Sequence, residues 1–476
     1  MFLLSFILPL LIAFLFIRLI LPPQETPQRF SFVTGFLSIG IGLGVSSCIS
    51  FFLLLTNDLV RERLFIIDLV LAATLGALLL YRSKANKEIE TVRHVSATFP
   101  TSGLQKTFAI IFVSALALAL VIFVILSWRN PHGAWDAFAI WNLRARFLFR
   151  GETHWPDAFS EHMTWSHVDY PLFIPTNVAR GWAIVGNDTV VVPILLALLF
   201  TVGIVGLIVS SLSILRGKSQ GYLAGSVLLG TPFYLSLGAS QLADVPLAFF
   251  LLSSVALISF RRTLSSARVF FLAGLSAALS GWVKNEGLLF LASMFLSLAV
   301  RAIISKDRGP HLKEISYFSL GALPVIMVIV FFKTQFSPGN DIFANQHFHL
   351  ILSKLTDLSR HYVVLEGFQR SVRDFGGWPF SMPIMLLFYL LVVGLHTEVD
   401  FKQDFIFPLT LLILMLSGYY FIYIITPQDL HWHIRSSLNR LLLQLWPATL
   451  FFYFSIVRTP EKSLAPNELQ LQPLHR

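Results

Sequence analysis

Long apolar windows, separated by short polar connections, dominate the hydrophobic pattern of this chain. A helix needs about 20 apolar residues to cross the hydrocarbon core of a bilayer. Windows that approach this length fall at residues 2–21, 32–56, 64–81, 107–128, 190–214, 221–239, 244–260, 268–282, 287–302, 315–333, 380–396, 405–425 and 441–457. The pattern therefore predicts an all-α, polytopic bundle of about thirteen transmembrane helices.

The windows 268–282 and 287–302 are separated by three polar residues. One long kinked helix would also fit the apolar pattern, but Lys284, Asn285 and Glu286 interrupt it. A charged side chain at the bilayer centre costs about 2.5–3.5 kcal/mol. These residues therefore favour a helical hairpin whose turn lies at the membrane interface.

The composition agrees with a membrane protein. The chain has 476 residues, of which 55% are hydrophobic and 13% are charged, whereas soluble domains carry about 25% charged residues. A net charge of +9 would suggest nucleic-acid binding in a soluble protein, but here we assign it to cytoplasmic loops and expect no nucleic-acid partner. The single cysteine, Cys48, allows neither an intrachain disulfide nor a cysteine-based zinc cluster.

Basic residues fall in alternate connections and so predict the orientation. They are Arg82, Lys84, Lys87, Arg93, Lys106, Arg216, Lys218, Arg261, Arg262, Arg268, Arg301, Lys306, Arg308, Lys313, Arg458 and Lys462. The positive-inside rule places these connections and the tail 458–476 in the cytoplasm, with the N-terminus outside a cytoplasmic (inner) membrane. The acidic connection 397–404 and an outer loop with Arg61 and Arg63 depart from the rule.

The outer face then receives the least common polar residues of the chain. It carries two long segments, 129–189 and 334–379, and short connections near 240–243, 283–286 and 426–440. Five polar motifs lie in these segments. Because they gather at one boundary, we expect them to form one site.

The first motif, NPHGAWDAFAIWNLRARFLFRG, occupies residues 130–151. Aromatic residues, including Trp141, and basic residues alternate at helical spacing, which predicts an amphipathic helix in the headgroup region. Asp136 lies in its first turn. It either complements the helix dipole or acts as a base that takes a proton from an acceptor hydroxyl.

The next two motifs each contain a carboxylate with two open interpretations. The segment HVDYPLFIPTNVARGWAIVG begins at His167, and His167 and Asp169 are either ligands or ordinary loop residues. The segment QLADVPLAFF begins at Gln241 and places Asp244 at the outer end of a span. An acidic residue there is also an ordinary helix start.

The last two motifs are rich in cations. In GWVKNEG, residues 281–287, Lys284 and Glu286 either pair with each other or Lys284 binds a phosphate group. The fifth motif, TPQDLHWHIRSSLNRLLLQLWP, spans 426–447 and contains Asp429, His431, His433, Arg435 and Arg440. We expect Asp429 to pair with a nearby cation and Arg440 to bind a phosphate. Two histidines at i and i+2 do not share a helix face, so no metal site is predicted.

In this order, the motifs resemble those of the GT-C superfamily of polytopic glycosyltransferases, within it the protein O-mannosyltransferase and aminoarabinose transferase branch. The segments WDAFAIWNLRAR, QLADVPLAFF, GWVKNEGLL and HWHIRSSLNR carry the resemblance, which covers about 107–457. It implies a catalytic core there, with 1–106 as three additional N-terminal helices. Ala137 departs from the members that have Glu beside the first-loop Asp, and the lack of a sizeable C-terminal soluble domain separates the chain from the oligosaccharyltransferase branch.

The resemblance implies an inverting transferase that moves a sugar from a polyprenyl-phosphate donor to a glycan, lipid or protein acceptor on the extracytoplasmic face. Asp136 matches the catalytic base, and Asp244 matches an acidic residue near donor or acceptor. Further positioning residues would be Trp141, His167, Asp169 and Glu286, and the donor phosphate would bind Lys284, Arg440, Arg435 and His431. No metal or other cofactor is expected, because cations can stabilise the leaving phosphate.

Two other functions stay open at this point. A ligase or polymerase of lipid-linked glycans would use a similar site with a diphosphate-linked donor. A transporter or flippase would need polar residues through the whole membrane thickness, often in repeated halves, whereas these motifs lie at one boundary.

Overall fold

The apolar windows of the sequence form helices in the computed structural model, which describes residues 2–22, 26, 29–85, 103–339, 346–396 and 405–464. The helices of the described residues are α1 Phe2–Ile20, α2 Phe30–Leu55, α3 Arg61–Ala85, α4 Gly103–Arg129, α5 Asn142–Arg150, α6 Phe173–Val185, α7 Val191–Leu215, α8 Lys218–Leu229, α9 Pro232–Ala239, α10 Asp244–Ser259, α11 Ser266–Val283, α12 Asn285–Ile304, α13 Gly309–Gln335, α14 Phe348–Thr356, α15 Leu358–Arg373, α16 Met382–Val393, α17 Ile406–Ile425, α18 Leu430–Ile456 and α19 Pro460–Leu464. Short 3₁₀ segments and one π-helical turn, Ala137–Trp141, connect some of them. No strand occurs in this part of the chain, so the predicted all-α class is confirmed.

Ten of these helices are long and apolar enough to cross a membrane, and the protein is a multi-pass membrane protein. Two bent pairs raise the number to 12: α8 with α9, bent by 68°, and α15 with α16, bent by 78°. The predicted count of thirteen is therefore not confirmed. The window 221–239 is interrupted because Thr231 is extended and Pro232 starts a new helix. α18 is not among the ten, because its first eleven residues include several polar and charged side chains.

The predicted hairpin between 268–282 and 287–302 is present as α11 and α12. Lys284 separates them in an extended conformation, with φ −151° and ψ 162°. α11 also packs closely against α13: a Cβ added at Gly321 would lie 1.9 Å from the main-chain oxygen of Phe271. Glycine at this position is what allows the two backbones to approach.

α2 lies inside the bundle. Its most apolar window is 78% buried, and the hydroxyl of Ser47 is 2.6 Å from that of Thr176 and accepts a hydrogen bond of 2.7 Å from Trp282 Nε1. Phe51 packs against Trp282 and Phe332. The N-terminal helices are thus continuous with the packing of α6, α11 and α13.

α3 and α4 have mostly outward-facing side chains, since only 11% of each apolar window is buried. α3 is nevertheless tied to α6 by an ion pair between Asp68 and Arg180, both of them almost fully buried. A charged pair in apolar surroundings is destabilising to break, because the remaining charge has no compensation. The pair therefore fixes where α3 lies against the bundle.

The predicted amphipathic helix of 130–151 differs from the expectation. It begins with the π-helical turn and continues as α5, which packs on α6 rather than lying free at the surface. Arg146 and Arg150 do not form an open basic face, because both bind Asp188, with N–O distances of 3.3 and 2.5 Å. The hydrogen bond from Arg150, followed by that from Arg146, lowers the pKa of Asp188 below its usual value despite slight desolvation. The regularly spaced arginines thus form ion pairs within the protein.

Candidate functional site

Arg440 joins two carboxylates that come from distant parts of the chain. Its Nη2 donates to Asp136 Oδ2 at 2.7 Å and to Asp244 Oδ2 at 2.8 Å, and its Nε donates to the same Asp244 oxygen at 3.1 Å. Asp136 immediately precedes the π-helical turn, Asp244 begins α10, and Arg440 lies on α18. Three of the polar motifs therefore meet at one guanidinium group.

Asp244 is the buried centre of the cluster and has a solvent-exposed fraction of 0%. Its second oxygen, Oδ1, accepts hydrogen bonds from Gln444 Nε2 at 2.6 Å and from Lys284 Nζ at 3.3 Å. With Arg440 on Oδ2, both carboxylate oxygens are occupied by donors. Burial of a carboxylate is tolerated only with such compensation, so Asp244 organises the cations of the site.

Lys284 carries the network into the α11–α12 turn. Its Nζ lies 2.8 Å from Glu286 Oε1 and 5.7 Å from the ring centroid of Tyr170. Burial alone would lower the pKa of Lys284, but the nearby carboxylates of Asp244 and Glu286 outweigh it and raise that pKa above its ordinary value. Lys284 is therefore a buried ammonium group. The other oxygen of Glu286, Oε2, is buried and has no hydrogen-bond partner among the described residues.

Asp136 is the accessible carboxylate of the cluster. Its side chain is 23% exposed, whereas that of Asp244 is 0% exposed. Arg440 binds its Oδ2, and within the described ranges no hydrogen bond to its Oδ1 is found. Asp136 can therefore meet a molecule that enters from outside, while Asp244 cannot.

A stack of three rings lies beside Lys284. The rings of Trp141 and Tyr170 are 5.5 Å apart with an interplanar angle of 10°, and those of His167 and Tyr170 are 5.3 Å apart at 19°. The buried guanidinium of Arg144 fixes this loop by donating to the main-chain oxygens of Ser166, His167 and Tyr170 at 2.6, 2.6 and 2.9 Å. Trp141 and His167 thus line the same region as the charged cluster.

Asp169 positions the α11–α12 turn from the other side. Its Oδ2 accepts a 2.6 Å hydrogen bond from Asn285 Nδ2. Lys333, in the last turn of α13, donates to Asn285 Oδ1 at 2.9 Å and to the main-chain oxygen of Asp169. The two neighbours of Asn285 are Lys284 and Glu286, so this second network holds both charged residues in place.

One face of α18 contributes four polar residues, His433, Ser437, Arg440 and Gln444, which recur every three or four positions. His433 Nδ1 lies 2.9 Å from Thr426 Oγ1, and Ser437 Oγ lies 2.7 Å from the hydroxyl of Tyr423. Tyr419 donates to Gln444 Oε1 at 3.0 Å, which leaves the amide nitrogen of Gln444 for Asp244. Helical spacing from Arg440 could have identified Gln444 and Ser437.

His431 and Arg435 do not join this cluster. Both are exposed on the other side of α18, and Arg435 Nε donates to the main-chain oxygen of His431 at 3.3 Å. The expected pairing of Asp429 with a cation is wrong. Asp429 instead caps α18, where its Oδ1 accepts from the main-chain N–H of Trp432 at 2.7 Å. Helix capping explains its position before Leu430.

Within the described ranges, no group of three or more His, Cys, Asp or Glu side chains is placed to hold a metal ion. No protein-family model matches the chain, and comparisons with curated proteins and with solved structures find no match.

Proposed function

We propose that this protein is a membrane glycosyltransferase that moves a sugar from a polyprenyl-phosphate donor to an acceptor hydroxyl or amine, with inversion. One observation carries the proposal: Asp136, Asp244, Lys284, Glu286 and Arg440 form an unbroken set of contacts, although they come from four separate segments. A transferase of this kind needs a base and a cationic group for the leaving phosphate within reach of one reacting centre. This cluster supplies both.

Asp136 suits the role of the base. The acceptor O–H or N–H would attack the anomeric carbon, the bond from that carbon to the phosphate oxygen would break, and the acceptor proton would pass to Asp136. The phosphate would leave with the bonding electrons. The exposure of Asp136 and its second carboxylate oxygen favour this residue over Asp244, whose two oxygens are bound by Arg440, Lys284 and Gln444.

Arg440 suits the role of the phosphate-binding group. Because Arg440 is paired with Asp136, phosphate binding would also change the state of that carboxylate. The cluster has three carboxylates and two cations, so it carries a net charge of about −1 before any substrate enters. A donor phosphate would compete with Asp136 for Nη2 of Arg440. Donor binding would thereby release Asp136 to accept the proton, and Asp244 would keep Arg440 in place.

The surroundings of Asp136 favour a lipid-linked donor. Three aromatic side chains close to it in the sequence, Trp128, Trp135 and Phe138, are exposed, and so is Trp165. The rings of Trp135 and Trp165 are 6.3 Å apart, so two parts of the segment 129–189 meet there. Exposed tryptophan is typical of the membrane–water interface, where an isoprenoid chain stays in the bilayer while its sugar reaches water.

The distribution of charge between the two ends of the helices supports an extracytoplasmic location. Asp244 begins α10, and Arg261 and Arg262 follow its other end; Asn285 begins α12, and Arg301 lies in its last turn. The cluster and the basic residues thus lie at opposite ends of the same helices. The positive-inside rule then supports an extracytoplasmic site in the cytoplasmic membrane, with the N-terminus outside and the C-terminus inside.

The fate of a labelled donor tests the proposal. Purified protein in liposomes would receive polyprenyl-phosphate sugars labelled in the sugar, together with a cell-envelope extract that supplies acceptors. Transfer of the label with release of polyprenyl phosphate is expected. Movement of the intact donor between leaflets, with no cleavage, would support a transporter instead, and cleavage of a diphosphate-linked donor alone would support the ligase or polymerase alternative.

A further inference from the structure

Two adjacent cavities open at the end of the bundle opposite to the Asp136–Asp244 cluster. They have volumes of about 370 and 300 Å³, and both are lined by Arg261, Arg262 and Arg301. α10 separates them from the cluster by its length of roughly 24 Å. These cavities are therefore distinct from the site described above.

The first cavity is strongly basic. Besides the three shared arginines it is lined by Lys313, and Glu314 is the acidic residue in its described lining. That carboxylate is engaged: it lies 3.2 Å from Arg301 Nη1, 2.9 Å from His311 Nδ1, and accepts a 2.9 Å hydrogen bond from Ser266. The described lining of the first cavity therefore has four cations and one carboxylate.

The arrangement of helices adds to this potential. Ser266 is the first residue of α11, and Pro310 lies at the start of α13, so both N-termini face the first cavity. Main-chain N–H groups at a helix N-terminus favour negative charge. The arginines already make contacts within the protein, so the attraction comes from the summed charge and not from a vacant group.

The second cavity is lined by apolar and polar residues in equal number. Its lining includes Leu215, Ile258, Phe407, Phe451, Phe452 and Ile456, next to the shared arginines. A small inorganic anion would gain no favourable contact with these apolar side chains. A molecule with a negatively charged head and hydrocarbon chains would satisfy both cavities at once, because its head would meet the arginines while its chains followed the apolar side.

We propose that the two cavities form a binding site for an anionic phospholipid, whose phosphate lies between Arg261, Arg262 and Arg301. Planar guanidinium groups bind phosphate oxygens in pairs, and basic pockets between transmembrane helices are suited to anionic lipid headgroups. Lys313 extends the cationic surface beside the phosphate. The site does not depend on the glycosyl transfer proposed above.

Native mass spectrometry of the detergent-purified protein tests this proposal by counting retained lipids during titration with cardiolipin, phosphatidylglycerol or phosphatidylcholine. Wild type is expected to prefer the two anionic lipids. The variant R261Q/R262Q should bind them roughly 30-fold more weakly, since each basic residue contributes about fivefold. The control K306Q/R308Q removes two exposed cations from the α12–α13 connection and should change binding less than threefold.

A second variant tests the site in case the double arginine variant does not fold. K313Q alters an exposed residue and should weaken anionic-lipid binding about fivefold with an unchanged unfolding temperature. Equal losses in K306Q/R308Q and R261Q/R262Q, or equal binding of phosphatidylcholine, would overturn the proposal. Binding of inorganic pyrophosphate without any retained anionic lipid would also overturn it, because the ligand would then be a free anion.

Discussion

Arg440 and Asp136 form an ion pair with 2.7 Å between Nη2 and Oδ2, at the accessible edge of a cluster whose central carboxylate, Asp244, is fully buried. The same guanidinium group thus holds the proposed base and would bind the donor phosphate. This sharing makes the order of events testable: the base becomes available when the phosphate takes its place on Arg440.

Replacing Arg440 should weaken donor binding. R440Q removes a charge-assisted contact, which is worth about 1.5–3 kcal/mol, so the dissociation constant of the polyprenyl-phosphate donor should rise about 10- to 150-fold. R440K keeps the positive charge but cannot reach two carboxylates with one planar fork, and should fall between wild type and R440Q. Donor titration in detergent measures both. Unchanged affinity in R440Q would remove Arg440 from the donor site.

Replacing Asp244 should affect folding more than replacing Asp136. D244N leaves Arg440 and Lys284 without their shared buried partner, and removing one member of a buried ion pair costs about 3–5 kcal/mol. D136N removes a single contact at a partly exposed position, where about 1 kcal/mol is expected. Thermal unfolding of the two variants in the same detergent compares them. Equal stabilities would contradict the central position given to Asp244.

Lys333 should act by positioning the α11–α12 turn. Its Nζ donates to Asn285, the residue between Lys284 and Glu286. K333M should lower the turnover rate about 10- to 100-fold through a small displacement of these charges, and K333R should restore part of the rate. The exposed-surface control K306M lies in another connection. A loss of stability in K333M without any change in turnover would assign Lys333 a structural role alone.

Transfer should survive removal of divalent metal ions. Lys284 and Arg440 supply two positive charges for the leaving phosphate, and charge stabilisation of this kind can replace a metal. Initial rates measured before and after treatment with a chelator provide the test. A loss of activity that Mg²⁺ or Mn²⁺ restores would show that the cationic side chains are insufficient.

Much of the helical architecture could be predicted from the sequence, because membrane-spanning helices need long apolar runs. The apolar windows correspond to helices, and the polar residue Lys284 marks the break between α11 and α12. We could also predict that Asp136, Asp244 and Arg440 lie at the same boundary of the membrane, because the basic connections were assigned to the opposite boundary. Breaks within a helix were harder to predict, since the break before Pro232 lies within an apolar run.

The partners of the charged residues could not be predicted in the same way. Gln444 and Lys333 bind Asp244 and Asn285 across helices, and such contacts depend on helix rotation and packing, which apolar windows do not encode. Arg144 lies in the segment 130–151 that was predicted to be an amphipathic helix, yet it is buried against main-chain oxygens of the following loop. Tertiary packing decides such cases.

Asp136 is the proposed base of the glycosyl transfer. The most direct measurement compares the turnover of wild type, D136N and the control D157N, which replaces an exposed carboxylate of the same outer segment, with donor affinity measured in parallel. D136N should lower the turnover rate about 10²- to 10⁴-fold and bind the donor at least as tightly, because Arg440 no longer has Asp136 as a competitor, while D157N should match wild type. Wild-type turnover in D136N would contradict the account.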